Sequence, residues 1–162
     1  MLKDLHTLTP YLDFIHACNE DPDYRDPMLL TEQQLRRNLL DAPENPHTRV
    51  FGTFEGEAIT GVFALLVLED ERYLELLAGL SRSAASYDEL LAHLHSAYPG
   101  YQADFVYNPR NRLLQAALEA LSAEFDPEQQ KLVLRRAVPA APDARVVPYR
   151  PEFRAQYLAL HT

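Results

Sequence analysis

The turn SRSAAS, residues 81–86, is the first stretch whose residue types could do chemistry. It follows the apolar run LELLAGL and precedes the amphipathic helical pattern YDELLAHL. A helix N-terminus carries unpaired backbone N–H groups and a partial positive charge, which together make it an anion-binding position. The turn therefore predicts either a phosphate-binding loop or a plain connection between a strand and a helix.

Two further side chains could act in proton transfer. Glu75 lies amid apolar neighbours in a strand-like run, where a carboxylate needs a charged partner or a water-filled cleft. It is a candidate general base, and the alternative is an ion pair with Arg49 or Arg72. Tyr107 ends the next strand-like run and is a candidate general acid, with half-buried packing as its alternative.

Bulk composition excludes several classes of function. The chain has 24 acidic and 15 basic residues, for a formal net charge of −9, which disfavours nucleic acid as a partner. No apolar run reaches the ~20 residues of a membrane span, and a cytoplasmic protein is expected. The single cysteine, Cys18, predicts a small buried hydrophobe. His93 and His95 stand two apart on a predicted helix and face different directions, so no metal site is predicted.

Helical signals frame the first third of the chain. Apolar residues at helical spacing in LTPYLDFIHAC predict a first helix. Thr31 and Gln34 have the spacing of a capping box and predict a second helix from about Glu32 to Leu40.

A change to β-type patterning begins at Thr48. RVFGTF, AITGVFALLVL and RYLELLAGL predict three strands, and the short turns FEGE and EDER make them an antiparallel meander. The middle run is apolar on both faces, which places that strand inside a sheet.

Helices and strands alternate after Leu80. Ser86 and Glu89 predict a capping box for a helix, ADFVY predicts a short strand, and Asn108 is a predicted cap for another helix. KLVLRR predicts a last strand. The strand, helix and strand around residues 74–107 should run parallel, with a ligand site beyond the carboxyl ends of the strands. The apolar face expected on the later helix consists of Leu114, Leu118 and Leu121.

This order resembles the GNAT superfamily of acetyl-CoA-dependent N-acetyltransferases over residues 1–136. The words YLELLAGLSRS, FVYNPRN and EQQKLVL are similar to the fourth-strand, fifth-strand and closing segments of tandem two-domain members. The resemblance implies an α/β fold in which a three-strand antiparallel meander is followed by a parallel strand-helix-strand unit, flanked by helices. It also implies acetyl-CoA between the strands ending at Leu80 and Tyr107.

The family's pyrophosphate loop reads Q/R-x-x-G-x-G/A. Here Arg82 fills the first position, whereas Ala85 and Tyr87 stand at the two positions for small residues. The family often pairs an Asn with a catalytic Tyr seven residues later, and Asn111 is followed at that distance by Leu118. The implied cofactor contacts are Leu80, Arg82, Ser83, Ala85 and Asn111.

The C-terminal sequence suggests a second domain. Residues 137–144, AVPAAPDA, read as a Pro/Ala linker, and residues 145–162 resemble the opening of a second GNAT-like domain or else form a C-terminal helix. The departures from the cofactor motif favour a degenerate, non-catalytic half that packs against or regulates a second GNAT-like domain or a homodimer partner. The alternative is an active N-acetyltransferase that uses acetyl-CoA to acetylate a small amine or a peptide amino group by direct attack.

Overall fold

A computed structural model of the chain describes residues 1–126. Their strands form one five-stranded sheet in the order β1-β2-β3-β4-β5. The first three pairings are antiparallel, and β4 pairs with β5 in parallel. The sequence predicted the antiparallel meander of β2, β3 and β4 and the parallel pair, but it did not predict β1. The strands are β1 (Leu2–Asp4), β2 (Thr48–Glu55), β3 (Ala58–Leu68), β4 (Tyr73–Ser81) and β5 (Gln102–Phe105). The predicted strand KLVLRR, the linker and the terminal segment lie outside the described residues.

Four α-helices flank the sheet in the described part of the chain. The capping box that opens α2 is present, because Thr31 Oγ1 accepts from the N–H of Gln34 while the Gln34 side chain accepts from the N–H of Thr31. A π-helical turn over Arg36–Leu40 follows α2 directly and carries the helix to the predicted end at Leu40. The helices are α1 (Leu12–Glu20), α2 (Glu32–Leu35), α3 (Ala84–Ala97) and α4 (Arg112–Ala120).

Apolar side chains on the two faces of the sheet form two separate cores. One core joins β2, β3 and the end of β4 to α1 and α2, and it contains Ile15, Cys18 and Leu39. The other joins the opposite face to α3 and α4, and it contains Phe63 and Tyr87. Strand β3 contributes to both, which confirms the interior position predicted from its continuous apolar run.

Three sequence-based details about the helices are wrong. The helix predicted from Ser86 begins at Ala84, and Ser86 is buried within it instead of capping it. Asn108 is not the cap of α4, since Asn111 takes that role through its bond from the Leu114 N–H. Leu121 is 61 % exposed because α4 ends at Ala120, so it lies outside the buried face.

No helix among the described residues has both the length and the apolar character needed to cross a bilayer.

Candidate functional site

Strands β4 and β5 separate partway along their length. β5 pairs only with Tyr73–Leu76, whereas β4 continues to Ser81 beside β3. The separation coincides with a bulge at Leu77, which has no partner on β3 because Leu65 pairs with Leu76 and Ala64 with Ala78. A bulge bends its strand and increases the local twist. In the described structure, residues 77–81 therefore have one edge that β5 does not cover.

The loop between α1 and α2 crosses this opening, and we refer to residues 21–29 as the strap. Asp26 is 4 % exposed, and its Oδ2 accepts a 2.7 Å hydrogen bond from the N–H of Gly79 on β4. On the other side of the opening, Asn108 Nδ2 donates to the carbonyl of Pro22 at 2.9 Å. The strap therefore contacts both β4 and the segment that follows β5.

Hydrogen bonds within the strap and to neighbouring helices fix its shape. Asp26 Oδ1 accepts from the N–H of Met28 at 2.7 Å, and Arg25 Nε donates to the Asn19 carbonyl at 2.9 Å. The buried Asn38, in the π-helical turn after α2, donates to the carbonyl of Met28 at 2.8 Å. The strap is therefore positioned by bonds to α1 and α2 as well as by its contact with β4.

Arg82, the one residue that matches the pyrophosphate motif, is bound to the end of α1. Its guanidinium donates to the carbonyl of Ala17 at 2.7 Å and lies 3.2 Å from the Asp21 carboxylate. The C-terminal end of a helix carries unpaired carbonyl groups and a partial negative charge, which an arginine stabilises. Arg82 thus acts as a cap for α1.

The first turn of α3 begins at the end of β4, at the position predicted for an anion site. Ser83 is the residue before the helix, and its N–H donates to Ser81 Oγ at 3.0 Å. Ala84 and Ala85 follow it and are exposed. Leu80, one residue before Ser81, is fully buried in the core beneath α1.

Tyr87 turns away from the loop and into the core. Its ring packs edge-on against Phe63 at 5.7 Å, and its hydroxyl donates to the Ser81 carbonyl at 3.1 Å and accepts from Asn111 Nδ2 at 2.7 Å. Burial raises the pKa of Tyr87 above its ordinary value. The tyrosine at the position for a small residue therefore does not place a ring over the loop amides.

Asn111 and Asn108 have distinct structural roles beside this tyrosine. Asn111 is 3 % exposed, and both ends of its amide are used, by the Tyr87 hydroxyl and by the Leu114 N–H. Asn108 Oδ1 accepts from the N–H of Arg110 at 3.0 Å, which makes a turn that delays the start of α4. That turn is the physical reason why the cap is at 111 and not at 108.

Ser86 belongs to a buried hydroxyl cluster that the sequence did not reveal. Its Oγ accepts from Thr53 Oγ1 at 2.8 Å and donates to Thr60 Oγ1 at 3.0 Å. These hydroxyls join α3 to β2 and β3, so Ser86 holds the helix against the sheet. The sequence contains no separate signal for this cluster, because a serine at position 86 is equally typical of the start of a helix.

Glu75 and Tyr107, the predicted base and acid, are on different sides of the sheet. Glu75 is half-buried on β4. Its neighbours Leu74 and Leu76 lie in the core beneath α3 and α4, so the Glu75 side chain is on the opposite face of the sheet. Tyr107 packs against that same core, 6.5 Å from the ring of Phe125. It follows β5 by two residues instead of ending it, because the pairing with β4 stops at Phe105.

The ion pairs predicted as the alternative for Glu75 do not form. None of the ion pairs between described residues includes Glu75, and Arg49 donates to the carbonyls of Pro46 and Thr48. The register places Glu75 opposite Asp104 of β5, whose carboxylate accepts from the Tyr73 hydroxyl at 2.9 Å. Partial burial and these carboxylates raise the pKa of Tyr73 to about 12.

No group of three or more His, Cys, Asp or Glu side chains among residues 1–126 is arranged to hold a metal ion.

The sheet order, the parallel β4–β5 pair and the flanking helices give the described residues a GNAT-like fold. No protein-family model matches the sequence, and no curated protein matches it significantly.

Several solved structures are similar to the chain. A Thermus thermophilus protein is 26 % identical, covering 62 % of this chain and 76 % of its own, with a TM-score of 0.43. An aminoglycoside acetyltransferase from an uncultured soil metagenomic sample, in complex with trehalose, is 13 % identical with a TM-score of 0.49, covering 86 % of this chain and 96 % of its own. The same enzyme in complex with sisomicin is 14 % identical with the same TM-score and coverage. These likenesses concern the fold and assign no substrate to this chain.

Proposed function

We propose that this chain is a GNAT-like domain that does not transfer acetyl groups and that packs against or regulates a second GNAT-like domain. One observation carries the proposal, namely the binding of the Arg82 guanidinium to Ala17 and Asp21 at the end of α1. An arginine committed to a helix end and a carboxylate has fewer donors left for a pyrophosphate.

The charge of the strap supports the same conclusion. It carries the acidic residues Asp21, Asp23 and Asp26 against one basic residue, Arg25. Arg82 and Arg110 partly neutralise Asp21 and Asp23, and the strap has no excess of cationic side chains that would attract a polyanion such as coenzyme A. The strap therefore gives little support to the binding of acetyl-CoA.

A partner role draws support from exposed apolar side chains near β5 and the end of α4. Val106 is 45 % exposed, Leu121 is 61 % exposed and Phe125 is 46 % exposed. These side chains are available to contact another domain or chain.

One observation favours an active N-acetyltransferase as the second candidate. β4 and β5 separate beyond Leu76, and the exposed first turn of α3, at Ala84 and Ala85, follows directly after β4. Free amides at that position can bind a phosphate without help from a side chain. Acetyl-CoA would be the cofactor in that case, and a small amine or a peptide amino group the acceptor.

Calorimetric titration with acetyl-CoA distinguishes the two candidates. We expect no saturable binding tighter than about 1 mM for the wild-type chain. Tighter binding would overturn the non-catalytic proposal. Arg82→Ala would then locate the phosphate, since an unchanged affinity would assign it to the α3 amides instead of the guanidinium.

A further inference from the structure

The backbone of β4 offers a hydrogen-bond donor at the edge that β5 leaves uncovered. Peptide groups along a strand point alternately to its two edges, so a strand beside one neighbour keeps donors and acceptors on its other side. The N–H of Gly79 donates to a side chain outside the sheet, which assigns it to the uncovered edge. An extended ligand with a carbonyl oxygen could pair with the same N–H.

The chain already supplies an acceptor at this position. Asp26 reaches Gly79 from 53 residues away in sequence, and the same carboxylate accepts from Met28. A buried carboxylate that accepts two backbone N–H bonds is held in place by charge-assisted hydrogen bonds. The Asp26 carboxylate thus occupies the place that a ligand's carbonyl would take.

Contacts at the N-terminal end of the strap help to hold this carboxylate in position. Asp21 lies 3.2 Å from Arg82, and Pro22 accepts from Asn108 at 2.9 Å. Asp23 lies 3.8 Å from Arg110, although both of these side chains are more than 60 % exposed and the pair adds little. The strap is therefore anchored by Asp26, by Asp21 and Pro22 at its N-terminal end, and by the bond that Met28 accepts from Asn38.

We propose that the strap is a built-in competitor that closes the β4–β5 opening, with Asp26 bound to Gly79 in place of the carbonyl of an extended, amide-bearing ligand. This inference rests on the proposed function and gives its physical cause. According to this inference, the nine residues of the strap keep the β4–β5 opening closed, and a substitution in the strap should open it.

The test compares the affinity of strap variants with that of the wild type. The probe is pantetheine, an uncharged extended molecule with two amide carbonyls, titrated by NMR so that millimolar dissociation constants are measurable. Asp26→Ala removes the acceptor, and we expect it to bind pantetheine at least about tenfold more tightly than the wild type, since a charge-assisted hydrogen bond exceeds the ~1.4 kcal/mol that tenfold represents. Glu20→Ala, an exposed neighbour on α1, removes one negative charge and should leave the affinity unchanged.

A second variant covers the case in which Asp26→Ala does not fold. Asn108→Ala removes the bond to Pro22 and leaves Asp26 in place. We expect about a threefold gain in pantetheine affinity for this variant, with thermal unfolding used to confirm that it is folded.

The outcomes separate this inference from the proposed function. If neither the wild type nor a folded strap variant binds pantetheine up to about 10 mM, the competitor inference is wrong and the non-catalytic proposal stands. If the wild type binds acetyl-CoA tightly, the non-catalytic proposal is wrong. The role of the strap is then still decided by comparing the pantetheine affinity of the variant with that of the wild type. If Asp26→Ala raised the affinity for coenzyme A but not for pantetheine, the substitution would have acted only by removing a negative charge. That result would contradict the inference.

Discussion

The two halves of β4 differ in what lies beside them. The first half, Tyr73–Leu76, has β3 on one edge and β5 on the other, and the apolar Leu74 and Leu76 side chains are buried beneath α3 and α4. The second half begins at the bulge and has β3 on one edge and the strap carboxylate at Gly79 on the other. Regular strand pairing stabilises one half, and a side chain from a distant loop stabilises the other.

The two halves of β4 therefore have different roles in the structure. The paired half fixes the parallel arrangement that makes the fold GNAT-like. The half beyond the bulge is the part at which a ligand could bind, and its unpaired N–H is bound by the chain itself. A fold can therefore be retained while a backbone donor at the opening is bound by another part of the same chain.

The largest expected effect concerns the paired half. Leu76→Ala removes a side chain that is 1 % exposed and leaves a cavity, so we expect it to lower the free energy of unfolding by about 3 kcal/mol. Leu77→Ala, at the half-buried bulge, should cost about 1 kcal/mol. Urea denaturation measures both values, and equal losses would contradict the assignment of Leu76 to the tightly packed half.

A smaller effect is expected at the junction between β4 and α3. Tyr87→Phe removes the hydroxyl that joins the Ser81 carbonyl to Asn111 and leaves both groups buried without that partner, at a cost of about 2 kcal/mol. Asn108→Ala serves as the comparison. The hydrogen bonds of the Asn108 side chain are exposed, so its removal should lower the free energy of unfolding by less than about 1 kcal/mol.

The same tyrosine gives a pH dependence whose sign follows from burial. Burial raises the pKa of Tyr87, so the unfolded chain loses this proton first as the pH rises above about 10. The stabilisation is complete below that pH and is lost progressively above it. Tyr87→Phe should therefore show a shallower fall in stability between about pH 9 and about pH 11 than the wild type, as measured by thermal melts. Parallel curves for the two proteins would contradict a protonated, buried Tyr87.

The smallest effects separate the two arginines that contact the strap. Arg82→Ala removes the bond to Ala17 and the partner of Asp21, and about 1 kcal/mol of stability should be lost. Arg110→Ala removes only the exposed contact with Asp23 and should change stability by less than about 0.5 kcal/mol. Equal effects in chemical denaturation would count against Arg82 as the cap of α1.

Local patterns predicted most of the fold. The continuous apolar run of β3 predicted its interior position, and the spacing of Thr31 and Gln34 predicted the start of α2. Both predictions were possible because each signal lies within a short stretch of sequence. The start of α3 was placed too late because Ser86 and Glu89 imitate a capping box. The pattern could not show that Thr53 and Thr60 bind the Ser86 hydroxyl.

The structure has an opening between β4 and β5 where the sequence predicted a ligand site, but the contacts around it could not be predicted. The sequence predicted a ligand site beyond the carboxyl ends of β4 and β5, and the family resemblance drew attention to Arg82, Ala85 and Tyr87 in the loop after β4. It could not show that Arg82 binds the end of α1 or that the Tyr87 ring enters the core, because both depend on side chains far away in sequence. Asp26 was missed altogether, since an aspartate in a turn-rich loop is usually read as a turn former.

Hydrogen exchange at the Gly79 amide tests most directly whether the strap closes β4. We expect this N–H to exchange at least about a hundredfold more slowly than in an unstructured peptide. In Asp26→Ala that protection should be largely lost, while the amides of Leu74 and Leu76 keep theirs. Rapid exchange at Gly79 in the wild type, or protection that persists in Asp26→Ala, would contradict the closure of the opening by the strap.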